Sequence, residues 1–412
     1  MTRFLAVLML VSLGSTVHAI SPRGDAPGPD QPNTISLNVS ATPAPTPVLR
    51  YELLPRLRDR IPGNAALDYH RAYLLRPNWP RDPKESQAQD QKVIEWEEAP
   101  VEKLPVADVR KFLASYHSTF TALDRGAQCD RCDWELTRTL KIENIGTLLP
   151  EVQAQRELAR FQRLRIRADL AENNFDAAAR GLQTGFRLAK DVGEGPSLIQ
   201  MLVGIALASI FTGETEQFVQ RPDAPNLYWA ITALPRPFID PRPALEGEAV
   251  LFDSLFPHLK ELEKGPVSAE RANLALEDTF GMLRRFGADE PGGEPGGAFS
   301  RLGLAGYVAL QAPEARKQLI ALGRPAAEIE KMPPAQVVLL RAGAVIRSLA
   351  DDQRKCFHLP YPQARAELGR VRERANKMKA TEKDVFVQLF LLLVPATEKV
   401  HEAHSRLERR LA

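Results

Sequence analysis

The stretch GAQCDRCDWE, residues 126–135, sets two thiols in a Cys-x-x-Cys spacing and flanks them with acids and a tryptophan. A thioredoxin-like redox couple needs a βαβ frame and a helix N-terminus that depresses one thiol pKa. No such frame is legible around Cys129 and Cys132. Covalent haem attachment needs a histidine directly after the second cysteine, and Asp133 stands there. Zinc needs about four ligands. Cys129, Cys132, Cys356 and His358 could supply a Cys₃His set, although Cys-x-His is an uncommon half-site and the two halves lie far apart in sequence. The same three cysteines, Cys129, Cys132 and Cys356, are the disulfide candidates. A Cys129–Cys132 bridge closes a very small loop and stabilises little. A Cys132–Cys356 bridge closes a long one, worth about 3 to 5 kcal/mol in the chain-entropy model. Unpaired buried thiols are the remaining reading.

Other reactive side chains give weaker patterns. Glu398 and His401 have the Glu-x-x-His spacing of di-iron bundles, but a second copy on a facing helix is missing. HEAH, residues 401–404, is one residue short of the His-Glu-x-x-His protease motif. His401 and His404 are expected to be solvated beside a charged C-terminus, and His70 and His117, next to aromatics, to be structural. No Gly-x-Ser-x-Gly elbow occurs. Arg156, Arg160, Arg163 and Arg167 step by four, three and four, which places them on one helix stripe opposite a Leu158/Phe161 core face. The bland reading is a solvated face paired with acids such as Glu157 or Asp169. The functional reading is a groove for an anionic peptide, protein or envelope polymer.

The elements that would position these groups are helical. GNAALDYHRAYLL has a broad apolar arc, with Asn64 as its N-cap. PVADVRKFLASYHSTFTAL repeats the pattern. Residues 151–192 carry Leu158, Phe161, Leu164, Ala168 and Ala171, then Asn173-Asn174, then Phe175, Ala178, Leu182, Phe186 and Ala189. That spacing predicts a helical hairpin with a tight turn. AENNFDAA resembles the turn of a tetratricopeptide repeat, without a second copy at its period. GPSLIQMLVGIALASIF is apolar nearly all round and reads as a buried central helix too short to span a bilayer, beginning at Pro196 or Ser197. The helix from Asn226 should stop near Pro235, and Pro395 should kink or split the last helix. No long alternation suggests a sheet. The fold class is all-α, with antiparallel hairpins packed into a locally TPR-like bundle or short solenoid.

Composition bounds the function class. Formal net charge is +2, from 54 basic and 52 acidic residues, so nothing favours nucleic acid as a partner. The N-terminus has Arg3, an apolar run from Phe4 to Val11, and Val17-His18-Ala19. This is a secretory signal, residues 1–19, expected to be cleaved after Ala19. Residues 20–48, rich in proline, read as a disordered linker. A helical domain follows at 49–286, a Gly/Pro-rich flexible loop at 287–300, and a C-terminal helical region at 301–412 that fits the same domain equally well. No transmembrane helix is expected in the mature chain.

Several phrases together resemble an uncharacterised family of exported all-helical proteins abundant in planctomycete bacteria: CDW at 132–134, EGPSLIQMLVGIA from 194, APNLYWAITALPRP from 224 and LPYPQAR from 359. The resemblance spans most of residues 60–370. It implies an extracytoplasmic setting and a helical fold. It carries over no catalytic residue. Cys132-Asp133-Trp134 belongs to the pattern, and a site that also needs Cys129 and Cys356 finds no support in it. The expected function is a non-enzymatic peptide, protein or envelope-component binder or scaffold, with no cofactor. The alternative is an extracytoplasmic hydrolase or metal-assisted enzyme.

Overall fold

The computed structural model describes residues 35–136, 148–287 and 301–412. The expected signal segment, residues 1–19, and most of the expected Gly/Pro-rich loop, residues 287–300, lie outside them. The described chain is mostly helical and divides into two compact units. One holds residues 35–136, 148–244 and 403–412, and the other residues 245–402.

The first unit opens with β1 (Ile61–Asn64) and α1 (Ala65–Leu74), followed by α2 (Pro83–Glu98), α3 (Val106–Ala114), α4 (His117–Gln128) and β2 (Cys129–Arg131). Asn64 caps α1 as its sequence suggests, accepting the Ala66 N–H at 3.3 Å. The two strands pair in parallel, Ile61 with Cys129 and Asn64 with Arg131. Neither IPGN nor CDR reads as a strand. Side chains hold the pairing: the Gly63 N–H donates to Asp130 Oδ1 at 3.1 Å, and Asn64 exchanges two 2.8 Å hydrogen bonds with the Asp133 backbone.

Three helices form the centre of this unit: α5 (Leu148–Ala171), α6 (Phe175–Gly193) and α7 (Leu198–Val219). The α5–α6 hairpin turns at the asparagines. Asn173 sits at φ 59°, a left-handed conformation that asparagine tolerates, and the Asn174 N–H reaches back to Asp169 O at 2.8 Å. Glycines allow close helix approach. A Cβ on Gly181 would lie 2.7 Å from Ile166 Cγ1, and one on Gly204 would overlap the Gly193 backbone. Helix α7 starts at Ser197, whose hydroxyl accepts the Gln200 N–H at 3.1 Å. Most of its apolar window is buried, as its sequence suggests. Its 22 residues do make it long and apolar enough to cross a membrane, which corrects the expectation that it is too short. The short α8 (Tyr228–Thr232) follows and ends before Pro235.

The second unit contains most of α9 (Arg242–Leu255), then α10 (Leu259–Leu262), α11 (Ala269–Gly287), α12 (Arg301–Ala321), α13 (Ala326–Ile329) and α14 (Pro334–Arg354). After them come α15 (Tyr361–Thr381), α16 (Val385–Leu391) and α17 (Val394–Leu411), whose residues from 403 on belong to the first unit. Helix α14 is central, with Val337, Val338, Ala342 and Ile346 in a core shared with Phe256, Leu276, Phe280 and Phe386. The break between α16 and α17 falls just before Pro395, which occupies the first turn of α17, where its missing N–H costs nothing.

Candidate functional site

The residues around Cys132-Asp133-Trp134 form a buried polar cluster in the first unit. Asp191 on α6 is its centre. Its Oδ2 accepts the Tyr69 hydroxyl at 2.7 Å and Arg187 Nε at 2.9 Å. Its backbone carbonyl accepts the Trp134 indole N–H at 2.9 Å. A second Arg187 nitrogen donates to Cys129 O at 3.2 Å. The Trp134 ring stacks on Tyr69 at 5.9 Å and meets His70 edge-on at 5.6 Å. Asp133 turns the chain by accepting the Glu135 N–H at 2.8 Å. Four segments (α1, β2, the CDW turn and α6) are thus joined at Asp191, through its carboxylate and backbone carbonyl, and through the Arg187 guanidinium.

The electrostatics make this cluster a poor nucleophile site. Burial pushes the Asp191 carboxyl up to about 6, although Arg187 and Tyr69 both favour its charge. Burial, then the Asp191 charge, drives the Cys132 thiol far above its ordinary value. Cys129 is raised by burial and then by Asp68. Its sulfur lies 3.7 Å from Asp68 Oδ2 and 3.6 Å from Arg125 O. A reactive cysteine needs the opposite shift.

The three cysteines are free thiols, and Cys129 and Cys132, both in the first unit, are not bridged to each other. Cys129 and Cys132 belong to the first unit and Cys356 to the second. Cys356 is fully buried and its thiol donates to Asp352 O at 3.2 Å. His358, two residues on, is exposed. Among the described residues, no group of three or more His, Cys, Asp or Glu side chains is placed to hold a metal ion.

The histidine expectation is corrected. His401 and His404 are buried, at 3% and 8% exposure. His401 Nε2 lies 2.9 Å from Cys356 O, and His404 Nε2 lies 3.0 Å from Ile239 O. A carbonyl only accepts, so Nε2 carries the proton in both rings. His401 also stacks between Phe357 and Tyr361. The charged tail misled because its polar residues hide an apolar seam with Val400 and Leu407.

The arginine stripe is corrected too. It does not form an open groove. Arg156 is half-buried, and burial lowers its pKa. Arg160 Nε grips both oxygens of Glu97, at 2.9 and 2.8 Å. Arg163 and Arg167, 7% and 4% exposed, converge on Glu214 of α7, Arg163 at 2.6 Å and Arg167 at 3.4 Å. Helix α5 is covered on more than one side, so its arginines meet internal carboxylates instead of solvent. The sign of this was legible in α7: its two carboxylates, Glu214 and Glu216, lie in an otherwise apolar helix, and one that is buried needs an internal cation. Tyr69, Arg187 and Asp191 were not singled out from sequence. The Arg187–Asp191 step of four beside the apolar stripe of α6 was their only signal.

A surface depression of about 200 Å³ is lined by Arg50, Tyr51, Asp176 and Arg180 among others. It is smaller than the several hundred Å³ usual for small-molecule sites. Its carboxylate, Asp176, is already engaged by the Tyr51 hydroxyl at 2.6 Å and Arg50 at 3.1 Å. No family model, no curated protein and no solved structure matches this chain.

Proposed function

We propose that this chain is an exported, non-enzymatic helical protein that binds a peptide, protein or envelope component. The observation that carries the reading is an exposed aromatic pair on α8. Tyr228 and Trp229 are 62% and 45% exposed, with ring centroids 5.1 Å apart in an edge-to-face arrangement. Large exposed aromatics are expensive to leave in water and are the side chains that anchor protein interfaces. Nearby, the chain from residue 35 runs beside the same segment: the Asn38 N–H meets Gln220 Oε1 at 3.3 Å, and Thr42 O accepts Asn226 Nδ2 at 2.8 Å. It adds exposed Leu37 and Val39. The α5–α6 hairpin, with its asparagine turn and glycine-mediated approach to α7, supports a TPR-like pair in a short helical stack. The raised thiol pKa values count against a hydrolase with a cysteine nucleophile. The signal segment and the planctomycete family resemblance support export.

The test is capture from native envelope with a photoactivatable residue at position 228 of the mature protein. The same partner should appear with the wild-type background and be lost when Trp229 is changed to Ala. Capture that is indifferent to W229A would overturn the aromatic-edge reading.

A further inference from the structure

Residues 35–50 lie along the first unit as a strap, and amide side chains hold its main chain. Gln220, just past α7, accepts the Asn38 N–H on Oε1 at 3.3 Å. Asn226, before α8, donates Nδ2 to Thr42 O at 2.8 Å. Gln183 of α6 donates Nε2 to Glu52 O at 3.0 Å, where the strap joins the body of the unit. Two of these amides are aimed by bonds of their own. The Tyr228 N–H donates to Asn226 Oδ1 at 2.8 Å, and Gln220 Nε2 donates to Glu216 O at 2.8 Å. One end of each amide is thus committed to the body and the other meets a backbone. Between the contacts, Pro43 and Pro45 favour extended backbone at Thr42 and Ala44. Amides placed this way read the main chain of an extended segment largely irrespective of its sequence.

The strap's own side chains hold it weakly. Of residues 35–50, Thr42 and Pro45 are half-buried and the others are exposed, Ile35, Leu37 and Val39 among them. The strap's C-terminal end is held by charge. Arg50 and the Tyr51 hydroxyl both engage Asp176, in the surface depression of about 200 Å³. The Asp176 carboxyl is held below its usual range, first by the Tyr51 hydrogen bond and then by Arg50. Both side chains of the Arg50–Asp176 pair are about half exposed, so the pair contributes little to stability. The body of the unit is built from Leu53 onward, which is buried. The strap can therefore leave its track without opening the core.

We propose that the track from Gln220 and Asn226 to Asp176 binds an extended, proline-containing segment of another protein that carries a basic residue at its C-terminal end, and that residues 35–50 are an internal stand-in occupying it in the free chain. The site rests on the peptide-binding reading above and adds the ligand's chemistry to it. That chemistry is what the strap presents: main-chain groups for Gln220 and Asn226, prolines after them, and a cation for Asp176. Tyr228 and Trp229 follow Asn226 directly and supply exposed aromatic surface of the kind on which proline-rich segments dock. A displacing peptide makes the same main-chain bonds and the same ion pair, and no covalent step is involved.

The test compares the full mature chain with a chain of equal length in which residues 35–50 are replaced by a Gly-Ser sequence. The probe is a fluorescein-labelled peptide of residues 35–50, followed by anisotropy. A tethered strap competes at an effective concentration in the millimolar range, so a peptide of about 100 µM affinity should bind the replaced chain about tenfold more tightly than wild type. Asn226→Asp in the replaced chain keeps the acceptor for the Tyr228 N–H and loses the donor to the peptide, and should weaken binding about fivefold or more. A peptide with Arg50→Glu should bind severalfold more weakly. No binding by a replaced chain that unfolds cooperatively overturns the site, as does binding unchanged by N226D. A concentration-dependent wild-type dimer that disappears on replacement overturns the partner, by making the strap of a second copy the occupant. Binding lost in N226D but kept in W229A upholds this site while the aromatic edge fails, and the reverse pattern overturns this site alone.

Discussion

The Trp134 indole N–H donates to the Asp191 backbone carbonyl at 2.9 Å. That bond ties the CDW turn to the last turns of α6, where helix carbonyls lose their intrahelical partners. It also gives Cys132-Asp133-Trp134 a physical role that needs no chemistry at sulfur. The tryptophan caps a helix end and stacks on Tyr69, and Tyr69 in turn holds the Asp191 side chain.

Trp134→Phe keeps the stacked ring and removes the donor, so it should cost about 1 kcal/mol. Trp134→Ala also removes the aromatic packing and should cost about 2 to 4 kcal/mol. Urea unfolding measures both. Equal stability of W134F and wild type would show that the Asp191 carbonyl finds water just as readily.

Asp191 gives the unit a pH signature of unusual sign. Its folded pKa is raised to about 6, against about 3.9 for a free aspartate. The folded state therefore holds this proton more tightly than the unfolded chain. The contribution is fully present below about pH 4 and is lost as pH rises through 6, to a total on the order of 3 kcal/mol. The groups acting on it are Tyr69, Arg187 and Glu194, with Cys132 beside them. Asp191→Asn cannot titrate. Its stability relative to wild type should climb between pH 4 and pH 7, by up to about 1.4 kcal/mol per unit. Parallel stability curves for the two proteins would refute the shift.

Local signals in this chain were legible where a residue acts on its own backbone. Asn64 caps its helix as its sequence suggests, Ser197 rather than Pro196 is the residue at which α7 starts, and the Asn173-Asn174 turn stands where the apolar spacing breaks. Those bonds span at most a few residues, so the sequence contains both partners. What failed was long-range. The arginines of α5 step like a surface stripe, but Glu97 and Glu214, distant in sequence, turn that stripe inward. His401 and His404 sit among charged neighbours in the sequence and against Cys356 and Ile239 carbonyls in space. Most of the Asp191 cluster was hidden for the same reason: apart from Arg187, one helical turn away, its donors come from residues 69 and 134.

Glu214 makes the same point energetically. At 1% side-chain exposure it is the common acceptor for Arg163 and Arg167. Glu214→Ala would strand two buried guanidiniums and should destabilise by about 3 to 5 kcal/mol. A partly compensated variant, Glu214→Leu with Arg163→Met, removes one of the two stranded guanidiniums and should recover part of that, because an apolar pair of similar volume avoids its desolvation cost while Arg167 stays without its carboxylate. Calorimetric Tm values for the single and double variants check it. A single variant within 1 °C of wild type would mean that the pair is solvated.

The helix spacing at the centre of the first unit rests on Gly204. A Cβ there would collide with the backbone of Gly193 and Ala189 on α6, not with a side chain that can swing away. Gly204→Ala must therefore push α6 and α7 apart along their closest approach. Overpacking of this kind costs typically about 1 to 3 kcal/mol, and rigid backbone on both sides puts this site at the upper end. Gly281 and Gly306, inside α11 and α12, meet nothing within 4 Å of a built Cβ. The same change at those positions should stabilise by roughly 0.5 to 1 kcal/mol, because alanine loses less entropy in a helix. Opposite signs for chemically identical substitutions separate packing from propensity. Urea midpoints for G204A, G281A and G306A would show it, and a G204A protein as stable as wild type would exclude the close α6–α7 approach.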